Sequence, residues 1–306
     1  MHTLGRALVV ASLFAANGLL GTAADATVVA ATVGSVGVVG GKLVFQAYPD
    51  VVNKVETWPS DATHTDVADK AGPLDVGAGC VRTPIPARPT KVTCDVTGVT
   101  SALIDGGNLD DHLFVRDPMS AHLLGGPGND TLTGWAGDDV LDGGDGNDIL
   151  SGGPGNDLLI GGPGADTMSG GDGTDTASYD GHLTGVIVDP DGEPDDGATG
   201  ERDNVATTVE NLVGGRGDDT LGGSAGRNVL DGLAGADTIS GGEGDDELRG
   251  GPGADRVNGD GGRDRLFGDA GYDTLDGGTG PIGLPEYDTC EVGADGAVTR
   301  HCEVVR

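Results

Sequence analysis

The sequence predicts an all-β chain, a parallel β-roll or β-helix solenoid of nine-residue repeats with a small β-rich N-terminal domain. Three observations predict it. Sixty of 306 residues are Gly. Asp and Glu number 50 against 17 Lys and Arg, for a formal charge of −33. A Gly-Asp-apolar pattern recurs with a period of nine over much of the chain. With two Trp, four Tyr and four Phe, the chain lacks the large side chains that fill the core of a compact enzyme. Ordering a residue costs about 1–2 kcal/mol of backbone entropy, and Gly loses most. Burial alone therefore does not account for folding, and the missing free energy should arrive with positive charge. The sign of the charge excludes nucleic acid as the natural partner, because phosphate is repelled.

In chain order, residues 1–26 read as a secretory signal. Arg6 supplies the n-region, residues 7–20 a short apolar stretch, and Ala24, Asp25 and Ala26 a small-x-small cleavage pattern. Asn17 and Gly18 interrupt the stretch, which is too short to span a bilayer. The expected destination is extracellular, with no membrane anchor.

Residues 27–120 differ in composition. They hold all of the lysines, fewer Gly, and strand-like runs at 42–47, 92–96 and 101–104. A β-rich cap or small domain is expected here. Residues 104–114 read as a degenerate repeat that starts the stack. The four Cys allow three connectivities. The short spacings favour Cys80–Cys94 and Cys290–Cys302, and export favours oxidation. Zinc ligation would need pairs at C-x₂₋₄-C spacing, which the sequence lacks.

The roll itself is expected over 121–280. Units of nine start at Gly125, Gly134, Gly143, Gly152, Gly161 and Gly170 (block 125–178), then at Gly214, Gly223, Gly232, Gly241, Gly250, Gly259 and Gly268 (block 214–276). Gly holds the first and fourth positions of every unit. The sixth position is Asp130, Asp139, Asp148, Asp157, Asp166, Asp175, Asp219, Asp237, Asp246, Asp255, Asp264 and Asp273, with Asn228 the exception. The eighth position is apolar throughout, from Leu132 to Leu275. Glycines permit the tight turn, the sixth residue ends it with a carboxylate, and residues seven to nine form a short strand with one inward side chain. Two turns and two strands make an 18-residue coil. Stacked coils bring the carboxylates into columns at the ~4.8 Å strand spacing. Such columns repel themselves unless a hard divalent cation intervenes. Oxygen-only ligands at relaxed geometry favour Ca²⁺.

This pattern resembles the Gly-Gly-x-Gly-x-Asp-x-U-x repeat of the RTX, or haemolysin-type, β-roll family. The resemblance implies that same-side turns of successive coils sandwich each Ca²⁺ between sixth-position carboxylates and glycine carbonyls. It pairs Asp130 with Asp148, Asp139 with Asp157, Asp148 with Asp166 and Asp157 with Asp175, with corresponding pairs from Asp219 to Asp273. Asn228 keeps an oxygen but no charge, so the site it shares with Asp246 is expected to be weaker. About four sites in the first block and about five in the second give about nine Ca²⁺ in all.

The insert at 179–213 breaks the period. A strand is expected at 185–189 and an acidic loop at 189–196, together an elaborated coil. An EF-hand counted from Asp191 fails, with Asp196 where the loop needs Gly and Arg202 where it needs Glu. The C-terminal segment, 281–306, is expected to cap the solenoid around the Cys290–Cys302 loop.

No catalytic constellation stands out. Ser224 lies in a Gly-x-Ser-x-Gly string, yet it is the second residue of a repeat. His2, His64, His112, His122, His182 and His301 are scattered without a His-Glu-x-x-His motif. Arg216, Gly217 and Asp218 form an adhesive-type tripeptide at variable repeat positions. The expectation is a secreted, non-enzymatic calcium-binding β-roll that folds on binding several Ca²⁺. The alternatives are a calcium-dependent adhesion or matrix protein, or an accessory module of an extracellular polysaccharide-modifying enzyme or hydrolase.

Overall fold

The computed structural model describes residues 34–48, 51–69, 74–82, 91–278, 288–293 and 296–305. The leader expected at 1–26 lies outside them, as does 279–287. Every regular element among the described residues is a strand. The strands form three sheets of 14, 9 and 7 members, parallel throughout the repeats. The fold is the parallel β-roll that the nine-residue period predicts.

Register follows from the repeat. Val140, Leu141 and Asp142 pair with Leu158, Leu159 and Ile160, 18 residues on. Thr131, Leu132 and Thr133 pair likewise with Ile149, Leu150 and Ser151 on the opposite side of the coil. Because side chains alternate across a strand, only the eighth position points inward. All thirteen eighth-position residues are no more than 1% exposed. The core is thus a thin aliphatic seam between two sheets, one side chain per strand. Near Ala177, where that seam is thin, lies Tyr179, the largest side chain fully buried among the described residues.

Several strands run further than three residues. Ile149–Gly155 and Thr167–Gly173 continue into the turn, where Gly153, Pro154 and Gly155 pair with Gly171, Asp172 and Gly173. The turn backbone satisfies its own polar groups against the next coil, as in the bonds Gly128 N to Asp145 O and Gly146 N to Pro163 O. Buried backbone groups need such partners. A fourth-position side chain would block that approach: a Cβ on Gly146 would collide with the Gly128 carbonyl, and its φ of 150° is one that L-residues rarely adopt.

The insert is threaded through the stack. Thr176–Ser178 pairs directly with Asn211–Val213, so the 14-stranded sheet runs on across it. On the opposite side one sheet ends at Asn204–Val205, paired to Thr167–Met168. Another begins at Gly197–Ala198, antiparallel to Val186–Val188, which in turn pairs in parallel with Thr220–Gly222. The expected strand at 185–189 is Val186–Val188.

Both ends of the roll carry extra strands. Lys42–Ala47 lies parallel to Ser101–Asp105 and turns back on Gly34–Val39 through Gly40 and Gly41, at φ 59° and 79°. Lys54–Asp61 lies parallel to His112–Val115 and antiparallel to His64–Asp69. Antiparallel hairpins at the open end cover an edge that would otherwise template further pairing. Both expected disulfides are present, Cys80–Cys94 across adjacent strands and Cys290–Cys302 near the C-terminus.

Candidate metal centre

Each sixth-position residue closes a turn and opens a strand, so its backbone and carboxylate both face a neighbouring coil. Asp130 N donates to Asp148 Oδ1 at 2.6 Å, and Asp148 N to Asp166 Oδ1 at 2.7 Å. Asp139 N meets Asp157 Oδ1, and Asp157 N meets Asp175 Oδ1, both at 2.8 Å. In the second block Asp219 bonds Asp237 in this way, Asn228 bonds Asp246, Asp237 bonds Asp255, Asp246 bonds Asp264, and Asp255 bonds Asp273, at 2.8–3.1 Å. The structure therefore brings together every pair the 18-residue offset implies. The fifth position braces in the opposite direction: Asn129 Oδ1 accepts from Asn147 N, and Asn147 Oδ1 from Ala165 N, both at 2.9 Å.

One carboxylate oxygen is spent on this bracing. The other is stranded. In Asp130, Asp139, Asp148, Asp157, Asp166, Asp175, Asp237, Asp246 and Asp255, Oδ2 is buried with no hydrogen-bond partner. A buried, unpaired anionic oxygen is costly. It also faces another oxygen. A Cβ on Gly125 would strike both Asp130 Oδ2 and the Gly143 carbonyl, and one on Gly143 would strike Asp148 Oδ2 and the Gly161 carbonyl. At Gly125, Gly143, Gly232 and Gly241 the first glycine of the unit thus keeps open a gap shared by a carboxylate and a carbonyl of the next coil.

The electrostatics show the same strain. Burial, with a smaller push from the next Asp in the column, raises Asp130 and Asp139 to about 7. Burial likewise lifts Asp166 and Asp237 to about 7, and Asp157 and Asp255 to about 6. Anionic and carbonyl oxygens without thiolate or imidazole are the donor set that Ca²⁺ takes, at 2.3–2.6 Å in generic sites. The residues fit a hard divalent cation.

Two sixth positions depart from the rest, both where the array restarts. Asp219 Oδ1 accepts from Val186 N at 2.8 Å and Oδ2 from Gly215 N at 2.7 Å, so neither oxygen is stranded. Asn228 Oδ1 accepts from Ser224 N at 2.8 Å, and its amide donates to the Glu210 carbonyl at 2.5 Å. Hydrogen bonds take up both side chains.

Other carboxylates enter the columns without being repeat residues, and these were not among the expected ligands. Asp111 Oδ1 accepts from Asn53 N at 2.5 Å. Asp203 Oδ1 accepts from Asp166 N, and Glu210 Oε2 from Asp175 N, both at 2.9 Å. Asp288 Oδ1 accepts from Asp264 N at 3.0 Å. Each precedes an apolar residue by two positions (Leu113, Val205, Leu212 and Cys290). That acid-x-apolar spacing was the available signal.

Asp189, Asp195 and Asp196 bring their carboxylates together in the insert. The buried member is already satisfied, since Asp196 Oδ1 accepts from Asp189 N and Oδ2 from Val205 N, both at 2.8 Å. The cluster braces a loop. Ser224 meets Asn228 through its hydroxyl, and Asp218 braces Ala236 N at 2.8 Å.

Against known proteins, the family model of the RTX calcium-binding nonapeptide repeat (4 copies) matches residues 121–150, 142–177, 209–239, 222–257 and 249–280. No curated protein matches the chain.

Proposed function

Starting from an RTX-type repeat protein, with calcium-binding repeats across residues 121–280 on a parallel β-roll, we propose that the chain is a secreted protein whose roll folds on binding several Ca²⁺. The observation that carries this reading is the column of buried Oδ2 atoms without partners in successive coils. Folding buries anions that nothing among the described residues neutralises, so an ion that binds the folded form alone stabilises it directly. When bound, Ca²⁺ supplies positive charge between the coils. The chain's own groups hold the frame: Oδ1 fixes the spacing of adjacent turns, and first-position glycines keep the gap open.

Export is supported by the leader-like residues 1–26, by two disulfides suited to an oxidising compartment, and by the need for abundant calcium. The role is binding and calcium-gated folding rather than catalysis, in keeping with a Ser224 hydroxyl engaged by Asn228. Circular dichroism of the chain without residues 1–26, with chelator and across a calcium titration, tests the proposal. Strand content should rise with calcium and saturate, and a spectrum unmoved by chelator would sink the proposal.

A further inference from the structure

We propose that the cation column begins one turn ahead of the nonapeptide array, at a site built from Asp111 and the carbonyl of Gly125, and that Asn53 closes the column there by standing in for a cation. The proposal rests on the calcium-binding reading above and extends it to residues that the repeat match, starting at 121, does not cover.

The turn at 106–111 is not an obvious repeat, because Leu109 stands where the array has Gly. Leu109 nevertheless adopts the left-handed conformation, φ 70°, and its N–H reaches the Pro127 carbonyl at 2.6 Å. The coil bonds are those of the array. Gly106 N donates to Leu124 O at 2.8 Å, Asp111 N to Asp130 Oδ1 at 2.6 Å, and Thr131 N to Asp111 O at 2.9 Å. Asp111 is 3% exposed, and its Oδ2 is buried without a partner. A Cβ on Gly106 would lie 2.8 Å from that oxygen and 3.1 Å from the Gly125 carbonyl. A stranded carboxylate oxygen and a carbonyl of the next coil thus share one gap, as they do at Gly125 and Gly143.

One coil earlier the arrangement changes sign. Lys54 pairs with His112, which puts Asn53 in register with Asp111 at the head of the same column. Asn53 is fully buried, and its side-chain amide donates to Gly106 O at 2.8 Å and Val51 O at 2.7 Å. Gly106 O is the first-position carbonyl of its turn. In the array the equivalent carbonyl faces a carboxylate, and both are electron-rich. At Asn53 it faces an N–H, whose positive end removes the need for an ion. A neutral plug therefore caps the anionic column.

Calcium bound per chain, counted by native mass spectrometry on the chain without residues 1–26, tests this through three variants. Asp111→Asn should lower the count by one. Gly106→Ala should do the same while leaving every carboxylate in place, because its methyl group fills the gap. Asn53→Asp should raise the count by one, since it restores a carboxylate opposite Gly106 O. An unchanged count in folded Asp111→Asn or Gly106→Ala overturns the proposal. If neither variant folds, Asn53→Asp decides alone, and an unchanged count there overturns it. A wild-type chain that binds no calcium at all would instead strike the underlying calcium-binding reading.

Discussion

Asp130 and Asp148 are joined by one hydrogen bond, from the Asp130 N–H to Asp148 Oδ1 at 2.6 Å, while Oδ2 of each is buried without a partner. The relationship separates two duties of one carboxylate. Oδ1 spaces the coils, and Oδ2 carries charge that only a cation can meet. A side chain that keeps the first duty and loses the second should therefore behave differently from one that loses both.

Asp148→Asn keeps an accepting oxygen for Asp130 N and removes the charge. Asp148→Ala also leaves a buried N–H unpaired, a loss of about 1–3 kcal/mol. Both variants should need more calcium to fold. At saturating calcium, urea unfolding should place the Ala variant below the Asn variant by about that amount. Equal stability of the two would show that the Oδ1 bond contributes nothing.

Glycines at the first and fourth positions should fail for different reasons. Gly143 has no left-handed φ, and its Cβ would enter the gap beside Asp148 Oδ2. Gly143→Ala should thus weaken calcium binding while sparing the backbone. Gly146 has φ 150° and lies against the Gly128 carbonyl, so Gly146→Ala should strain the coil itself, by about 1–3 kcal/mol. Calcium titration followed by circular dichroism separates them. Excess calcium should rescue the strand signal of Gly143→Ala more fully than that of Gly146→Ala.

Acid should partly replace calcium. Burial raises the column aspartates from 3.8 to about 6 or 7, as at Asp148 and Asp139. The metal-free folded roll then holds protons that the unfolded chain has released, so its stability is greatest below the unfolded value and falls as pH rises through the folded one. Without calcium, strand signal at about pH 5 should exceed that at about pH 8, and chelator should matter less in acid. A metal-free chain more structured at the higher pH would contradict the burial argument.

The period alone placed the column of sixth-position side chains, the inward eighth position and the 18-residue offset, because each depends on residues within one coil of each other. Asp203 and Glu210 escaped because their place depends on where the insert returns, 37 and 35 residues after their partners Asp166 and Asp175. Asp219 escaped for the opposite reason. It matches the repeat, yet the insert supplies Val186 N, and its own turn supplies Gly215 N, to occupy it. Asn228 was expected to mark a weaker site shared with Asp246. Its side-chain amide donates a hydrogen bond to Glu210 O, a partner that local spacing does not reveal.

The two blocks should part company as calcium is withdrawn. Residues 125–178 contain no Lys or Arg, whereas 214–276 contain six Arg. Some of these bridge coils: Arg249 meets Asp269 at 2.7 Å and lies over the Phe267 ring, and Arg263 meets Asp245 at 3.1 Å. Such exposed pairs contribute at most about 1 kcal/mol each and do not replace ions between the turns. They do relieve repulsion that the first block, with none, must leave to calcium. Hydrogen exchange at graded free calcium should therefore show 125–178 losing protection at a higher concentration than 214–276. Added salt should narrow the gap, because screening acts on the same repulsion. Simultaneous loss across both blocks would mean that the arginines carry no share of the charge balance.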